Sequence, residues 1–209
     1  MRVRTAVAAL FALGTILAPL AAEAAPPFAC SRLLGPSTTR QIWDGGFETY
    51  AGEPYWEGQM RGAARITSWG PGGTGWTAAV LSSCGTPNRA VLHVIPSSGF
   101  TVDTLIADIR VAVDGIHATL PSVTRIELIP VNGGPNNSLC YLPGKKRPVQ
   151  ASSAHPLVEQ AIAAAVGGDV FAGPDVEHPC EMYGDNQGHL TPEGQVYVAQ
   201  TLGTHYSAN

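Results

Sequence analysis

The chain has 209 residues, of which 44% are hydrophobic and 13% charged, with a formal net charge of −4. An acidic balance of this kind excludes nucleic acid and an anionic membrane as expected partners. The one basic run, Lys145-Lys146-Arg147, is short, sits among prolines and reads as a solvated loop.

The N-terminus carries a targeting pattern. Arg2 and Arg4 give a basic start, an apolar run extends from Ala6 to Leu20, and Ala22-Glu23-Ala24 is a small-x-small cleavage site. Residues 1–24 are expected to be a cleaved secretory signal. Its apolar run is short for a membrane span, so no stable insertion is expected after cleavage. Residues 25–209 are then one domain, large enough for a sizeable core, in the periplasm or the medium. Four cysteines in an exported chain suggest two disulfides. Among the three possible pairings, Cys30–Cys84 with Cys140–Cys180 is favoured, because each pair ties neighbouring segments. No C-x-x-C or H-x-x-x-H spacing supports zinc.

The mature chain alternates strands and helices. A first strand over 29–34 ends at Gly35-Pro36-Ser37, and a helix is predicted from Thr38 towards Tyr50, weakened by Gly45 and Gly46. The stretch 64–69 has strand character and breaks at Gly70-Pro71-Gly72-Gly73, and 75–84 reads as a short helix. Residues 89–95 form a nearly continuous apolar run, which suits a strand buried on both faces, with His93 as a buried, hydrogen-bonded histidine. From Thr101 to Leu120, Val102, Leu105, Ile106, Ile109, Val113, Ile116 and Leu120 recur at helical spacing and make a core-facing stripe. A strand over 124–131 follows, then a helix opened by Pro156 and ended by Gly167-Gly168, and a short strand over 169–172. Near the C-terminus, Thr191 is a good N-cap and Pro192 suits the first position of a last helix.

This order is that of an α/β domain: a mostly parallel central sheet between two helical layers, with right-handed crossovers. Reactive groups in such sheets lie beyond the carboxyl ends of the strands. That rule selects Gly35-Pro36-Ser37, the turn from Trp69 to Gly75, and Pro96-Ser97-Ser98-Gly99. Ser37 would stand at a helix N-terminus, where an oxyanion is favoured, yet serine is equally an ordinary helix cap. Just before the last helix, Asp185-Asn186-Gln187-Gly188-His189 places an acid and an imidazole on one loop. A carboxylate beside an imidazole fixes the ring tautomer and stabilises the imidazolium.

Taken in order, the G-x-S after the first strand, glycines after the second, a small polar turn after the third and the acid–histidine loop before the last helix resemble the SGNH/GDSL family of hydrolases. The resemblance extends from about Leu33 to Gly194. It implies a three-layer α/β/α sandwich in which Ser37 is the nucleophile, His189 the general base and Asp185 its orienting acid. It also implies an oxyanion hole made by the N–H groups of Ser37 and Gly72. The family's third block normally supplies an Asn donor there; this chain has Ser97-Ser98-Gly99, so Ser97 is the expected substitute, with Asn132 a second candidate. Pro36 stands where the family usually has Asp before the serine. The family's last block is usually D-x-x-H, whereas Asp185 and His189 lie four apart and Asn186 occupies the usual acid position. Either Asp185 or Asn186 then orients His189.

The expected chemistry is attack of a serine on a carboxylic ester or O-acyl group, of a small molecule or a glycan, without a cofactor. A non-catalytic exported binding domain on the same fold and an O-acyltransferase using the same serine are the alternatives. Four other groups carry rival readings. Glu177, His178, Asp185 and His189 lie near one another in sequence as possible metal ligands. Trp43, Trp56, Trp69 and Trp76 could line a sugar or acyl pocket, though core packing is the commoner role for tryptophan. Asp44, Glu53 and Glu57 offer carboxylates for glycoside hydrolysis without a supporting spacing. Asn136-Asn137-Ser138 is a glycosylation tripeptide.

Overall fold

The strand segments assemble into one six-stranded sheet in a computed structural model that describes residues 28–52 and 55–207. The expected signal, 1–24, and Glu53 lie outside the described residues. The strands are β1 (Ser31–Gly35), β2 (Trp56–Met60), β3 (Val80–Leu81), β4 (Arg89–Val94), β5 (Arg125–Pro130) and β6 (Val170–Ala172). The helices are α1 (Ser37–Asp44), α2 (Phe47–Ala51), α3 (Val102–Thr119), α4 (Gln150–Ala165) and α5 (Pro192–Ser207). The sheet order is β3-β2-β1-β4-β5-β6, and all neighbours are parallel except the short edge strand β3.

The pleat divides the apolar residues between two cores. Successive side chains leave a strand on opposite faces. Leu34, Leu92 and Leu128 therefore join Leu105, Ile109 and Ile116 of α3 and Val158 and Ile162 of α4 on one face. Leu33, Val91 and Ile129 join Ile42, Phe47, Val198 and Leu202 from α1, α2 and α5 on the other. The result is a three-layer α/β/α sandwich, as the alternating pattern predicts. After β1 the chain crosses to β2 on one side, and after β3 it returns to β4 on the other. The carboxyl ends of β1 and β4 thus flank a switch point, where loops diverge and leave a cleft.

Four local readings need correction. The second strand is Trp56–Met60, whose polar residues hide it from hydropathy: Glu57 is buried and paired with Arg32, and the Gln59 amide donates to the carbonyls of Trp76 and Ala78. The stretch read as a strand, 64–69, instead ends in a 3-10 turn, Ile66–Trp69. Residues 75–84 hold a 3-10 turn and β3 rather than a helix. The single helix expected over 38–50 is broken at Gly45-Gly46, where Gly46 has φ 97° and a Cβ on Gly45 would stand 2.4 Å from the Gln195 carbonyl oxygen of α5. Finally, Pro156 lies inside α4 and not at its start. Both favoured disulfides, Cys30–Cys84 and Cys140–Cys180, are formed. Two such bonds suit a chain that folds in an oxidising compartment. No helix among the described residues is long and apolar enough to cross a membrane.

Candidate active site

Ser37 is the first residue of α1 and follows β1 through Pro36 alone. The turn is tight because Gly35 has no side chain: a Cβ there would meet Thr39 Oγ1 at 1.9 Å. Proline suits the position between them, since the first N–H groups of a helix have no intrahelical acceptor. Thr39 is itself held from below, its Oγ1 lying 2.8 Å from Nδ1 of the buried His93. Burial without a charged partner pushes the His93 pKa down to about 4, the one opposing contribution being a backbone hydrogen bond. His93 is therefore a neutral, structural ring beneath the first turn of α1 at ordinary pH, as expected from the sequence.

His189 reaches Ser37 from the other end of the chain. Its Nε2 lies 2.9 Å from Ser37 Oγ, and its Nδ1 lies 2.6 Å from Asp185 Oδ2. The spacing of four succeeds because the loop coils around the carboxylate. Asp185 Oδ1 accepts from the backbone N–H groups of Gln187, Gly188 and His189 at 2.8, 3.0 and 3.1 Å. Gly188 makes that coil possible: its φ is 110°, and a Cβ there would stand 2.5 Å from Ala151 Cβ. Asn186 does not meet the imidazole; its backbone carbonyl instead accepts from Gln150 N–H, docking the loop on α4. Partial burial raises the Asp185 pKa, but the hydrogen bonds from the His189 ring and the three N–H groups outweigh it, leaving the carboxyl below its ordinary value. An ionised Asp185 selects the tautomer with hydrogen on Nδ1, so Nε2 is left to accept from the serine hydroxyl.

Two further contacts fix the loop. Thr191 Oγ1 accepts from Gly194 N–H and caps α5, and the buried Leu190 donates its N–H to Gln41 Oε1 at 3.0 Å. Gln41 was not singled out from the sequence. It lies four residues after Ser37 on α1, so the two share a helix face, and that spacing was the available signal.

Ser37 and His189 open on a cleft of about 830 Å³. Ser97 and Asn132 line it, at the ends of β4 and β5 respectively. Gly72 does not: it lies on an exposed turn beyond the 3-10 segment, because the strand before it is not the second strand of the sheet. The turn that follows the true second strand brings Ala63 to the cleft, with φ 57°, a strained conformation for a residue with a Cβ.

The rival groups lie elsewhere. Glu177 accepts from the N–H groups of Asn136 and Asn137, and His178 is buried with Nδ1 on the Pro179 carbonyl, so neither joins His189. Asp44 pairs with Arg40, and Glu57 with Arg32. None of the four tryptophans lines the cleft; Trp56 and Trp69 are core residues. Among the described residues, His155, Glu159 and Asp175 lie close enough to share a metal ion. Both ring nitrogens of the buried His155 are already engaged, by Asn137 Oδ1 at 2.6 Å and Asp175 Oδ1 at 2.7 Å, which leaves no free ring lone pair to offer.

No family model matches the chain, and no curated protein matches it in sequence. Among solved structures it is similar to a family two carbohydrate esterase from Cellvibrio japonicus, with a TM-score of 0.50 and 15% identity over 84% of this chain. The chain spans 59% of that protein's length. At this identity the likeness is one of fold: a mostly parallel sheet flanked by helices on both faces.

Proposed function

We propose that the protein is an exported serine hydrolase of SGNH/GDSL type that cleaves a carboxylic ester or O-acyl group. The observation that carries this reading is the unbroken run Ser37 Oγ, His189 Nε2, His189 Nδ1, Asp185 Oδ2, with contacts of 2.9 and 2.6 Å, at the mouth of a cleft. A serine used only as a helix cap has no need of an imidazole aligned by a carboxylate. The similarity in fold to a carbohydrate esterase supports the same reading, and suggests a glycan-linked acyl group as one substrate class.

In this mechanism Ser37 Oγ attacks the acyl carbon while its proton passes to His189 Nε2, and Asp185 stabilises the imidazolium. The tetrahedral oxyanion forms at the N-terminus of α1. There the Ser37 N–H is one donor, and the Ala63 N–H, which has no backbone acceptor among the described residues, is the second. This assignment moves the second donor from Gly72 to the turn that follows β2. Ser97 and Asn132 supply the side-chain donors of the same wall. His189 then gives its proton to the departing alcohol, and water, activated by the same ring, releases the acyl group.

The test is labelling by a fluorophosphonate probe. The wild-type protein should be labelled at Ser37, and Ser37→Ala should lose both the label and the hydrolysis of short acyl esters. Label that persists on Ser37→Ala refutes the nucleophile.

A further inference from the structure

Among the described residues no aspartate, glutamate or lysine lines the cleft beside Ser37, and the one arginine that does is Arg65; the carboxylate nearest the nucleophile, Asp185, is held behind the His189 ring by that ring and three backbone N–H groups. Arg32 and Arg40 are paired with Glu57 and Asp44, and Arg89 and Arg125 share Glu127. The Arg65 guanidinium, which can only donate, has no acceptor among the described residues. Its base is nevertheless fixed. The Arg65 N–H donates to Ser68 Oγ at 3.1 Å, the Ile66 N–H donates to the Ile95 carbonyl at 3.0 Å, and the flanking Ala64 and Ile66 are buried.

The backbone adds to the same sign. Helices α1 and α4 both begin at this cleft, with Ser37 and Thr38 of one and Gln150 and Ala151 of the other among its walls. Neither helix has an acidic residue in its first turn, so nothing on the helix offsets its positive end. The chain as a whole has a formal charge of −4, so this local positive character runs against the overall field.

We propose that the cleft selects esters that carry a carboxylate, and that Arg65 is the side chain that recognises it. The inference rests on the hydrolase reading of the same site and names its substrate class: an acyl ester with a free carboxylate on either its acyl or its alcohol part. The planar guanidinium binds a carboxylate through two parallel N–H donors, a geometry that lysine cannot reproduce although it keeps the charge.

Two matched pairs of esters test this. Monobenzyl succinate against benzyl butyrate places the carboxylate on the acyl side, and 3-acetoxybenzoate against phenyl acetate places it on the alcohol side. For at least one pair, kcat/KM of the wild type should favour the anionic member by about tenfold at low ionic strength, with the preference shrinking as salt is added. That ratio should fall about tenfold in Arg65→Ala, reverse in Arg65→Glu and be partly kept in Arg65→Lys. A ratio near one for both pairs, or one that Arg65→Ala leaves as it was, overturns the proposal. A binding arm separates this failure from failure of the hydrolase reading. Calorimetry with Ser37→Ala should show monobenzyl succinate or 3-acetoxybenzoate binding, and the double variant with Arg65→Glu should lose it. If the wild type turns over none of the four esters, the hydrolase reading fails and this binding decides Arg65 alone: loss in the double variant sustains it, and equal or absent binding overturns it.

Discussion

Two of the histidines that meet an aspartate, His189 and His155, are placed in opposite ways. His189 lies 2.6 Å from Asp185 through Nδ1, is about a third exposed, and turns its second nitrogen to a hydroxyl at the mouth of a cleft. His155 lies 2.7 Å from Asp175 through Nε2, is fully buried, and turns its second nitrogen to the Asn137 side chain. A histidine–carboxylate pair is therefore not a site in itself. In the proposed mechanism, the third partner and its access to solvent decide whether such a ring moves a proton or holds two loops together. His155 joins the segment after β5, through Asn137, to the segment after β6, through Asp175.

The largest effect should come from removing the third partner at the open histidine. Ser37→Ala or His189→Ala should lower kcat/KM for a short acyl ester by about 10⁴-fold or more, with the double variant hardly worse than either single one, because the residues act as a unit. Additive losses would separate the two residues and break the comparison. Next in size, Asp185→Asn should cost about 10³-fold in kcat, since an amide at this place no longer selects the tautomer that leaves Nε2 free to accept. The Asp185 carboxyl is held below its ordinary value of 3.8, so its contribution to stability is present above that value and lost as pH falls through the lower native one. No acidic limb from Asp185 should therefore enter the rate profile above about pH 4.

At the closed histidine the readout is stability. Burial lowers the His155 pKa, but the hydrogen bond and charge of Asp175, helped by Glu159 and Glu177, outweigh it and raise the value above 6.5. The stabilisation this provides is fully present below 6.5 and is lost as pH rises through the raised native value. His93 has the opposite sign: its folded value of about 4 stabilises the neutral ring fully above 6.5, and that stabilisation is lost as pH falls through about 4. The denaturation midpoint should accordingly be highest near neutrality. His155→Gln should lower unfolding free energy by about 2 kcal/mol and flatten the alkaline side of the curve, measured by chemical denaturation at several pH values. A loss of activity as large as that of Asp185→Asn, in protein that remains folded, would instead make the two histidines alike.

The same contrast explains what was legible in the sequence. The layered fold was readable because β4, β5 and α3 are apolar where they are buried. Ser37 and His189, the proposed nucleophile and base, stand out in the sequence because one opens a helix and the other lies just before one, each with its own local signature. Strand β2 was not, because Glu57 and Gln59 are satisfied by residues far along the chain, Arg32, Trp76, Ala78 and Cys84. Missing that strand displaced the turn that faces Ser37, so Gly72 was chosen where the structure presents Ala63. Asp185 was expected beside His189 from the resemblance with Asn186 as the alternative; what the sequence does not announce is the coil of three backbone donors that turns the Asp185 carboxylate to the ring.

The smallest effect is the one that separates position from chemistry. The Gln41 side chain accepts from the Leu190 N–H and so anchors the residue after His189 to the helix that begins with Ser37. Gln41→Ala leaves that buried donor without its acceptor, a cost of about 1 kcal/mol, which corresponds to about fivefold in rate if it is expressed as misalignment of the ring. The loss should fall on kcat and not on KM, because the cleft walls that hold the substrate are untouched. Gln41→Glu keeps an oxygen where the N–H needs one and should recover most of the rate. If Gln41→Glu is as slow as Gln41→Ala, the hydrogen bond is not what aligns the loop. The coil around Asp185 would then hold His189 by itself, and the acid of this site would be its main structural support as well as the partner of its imidazole.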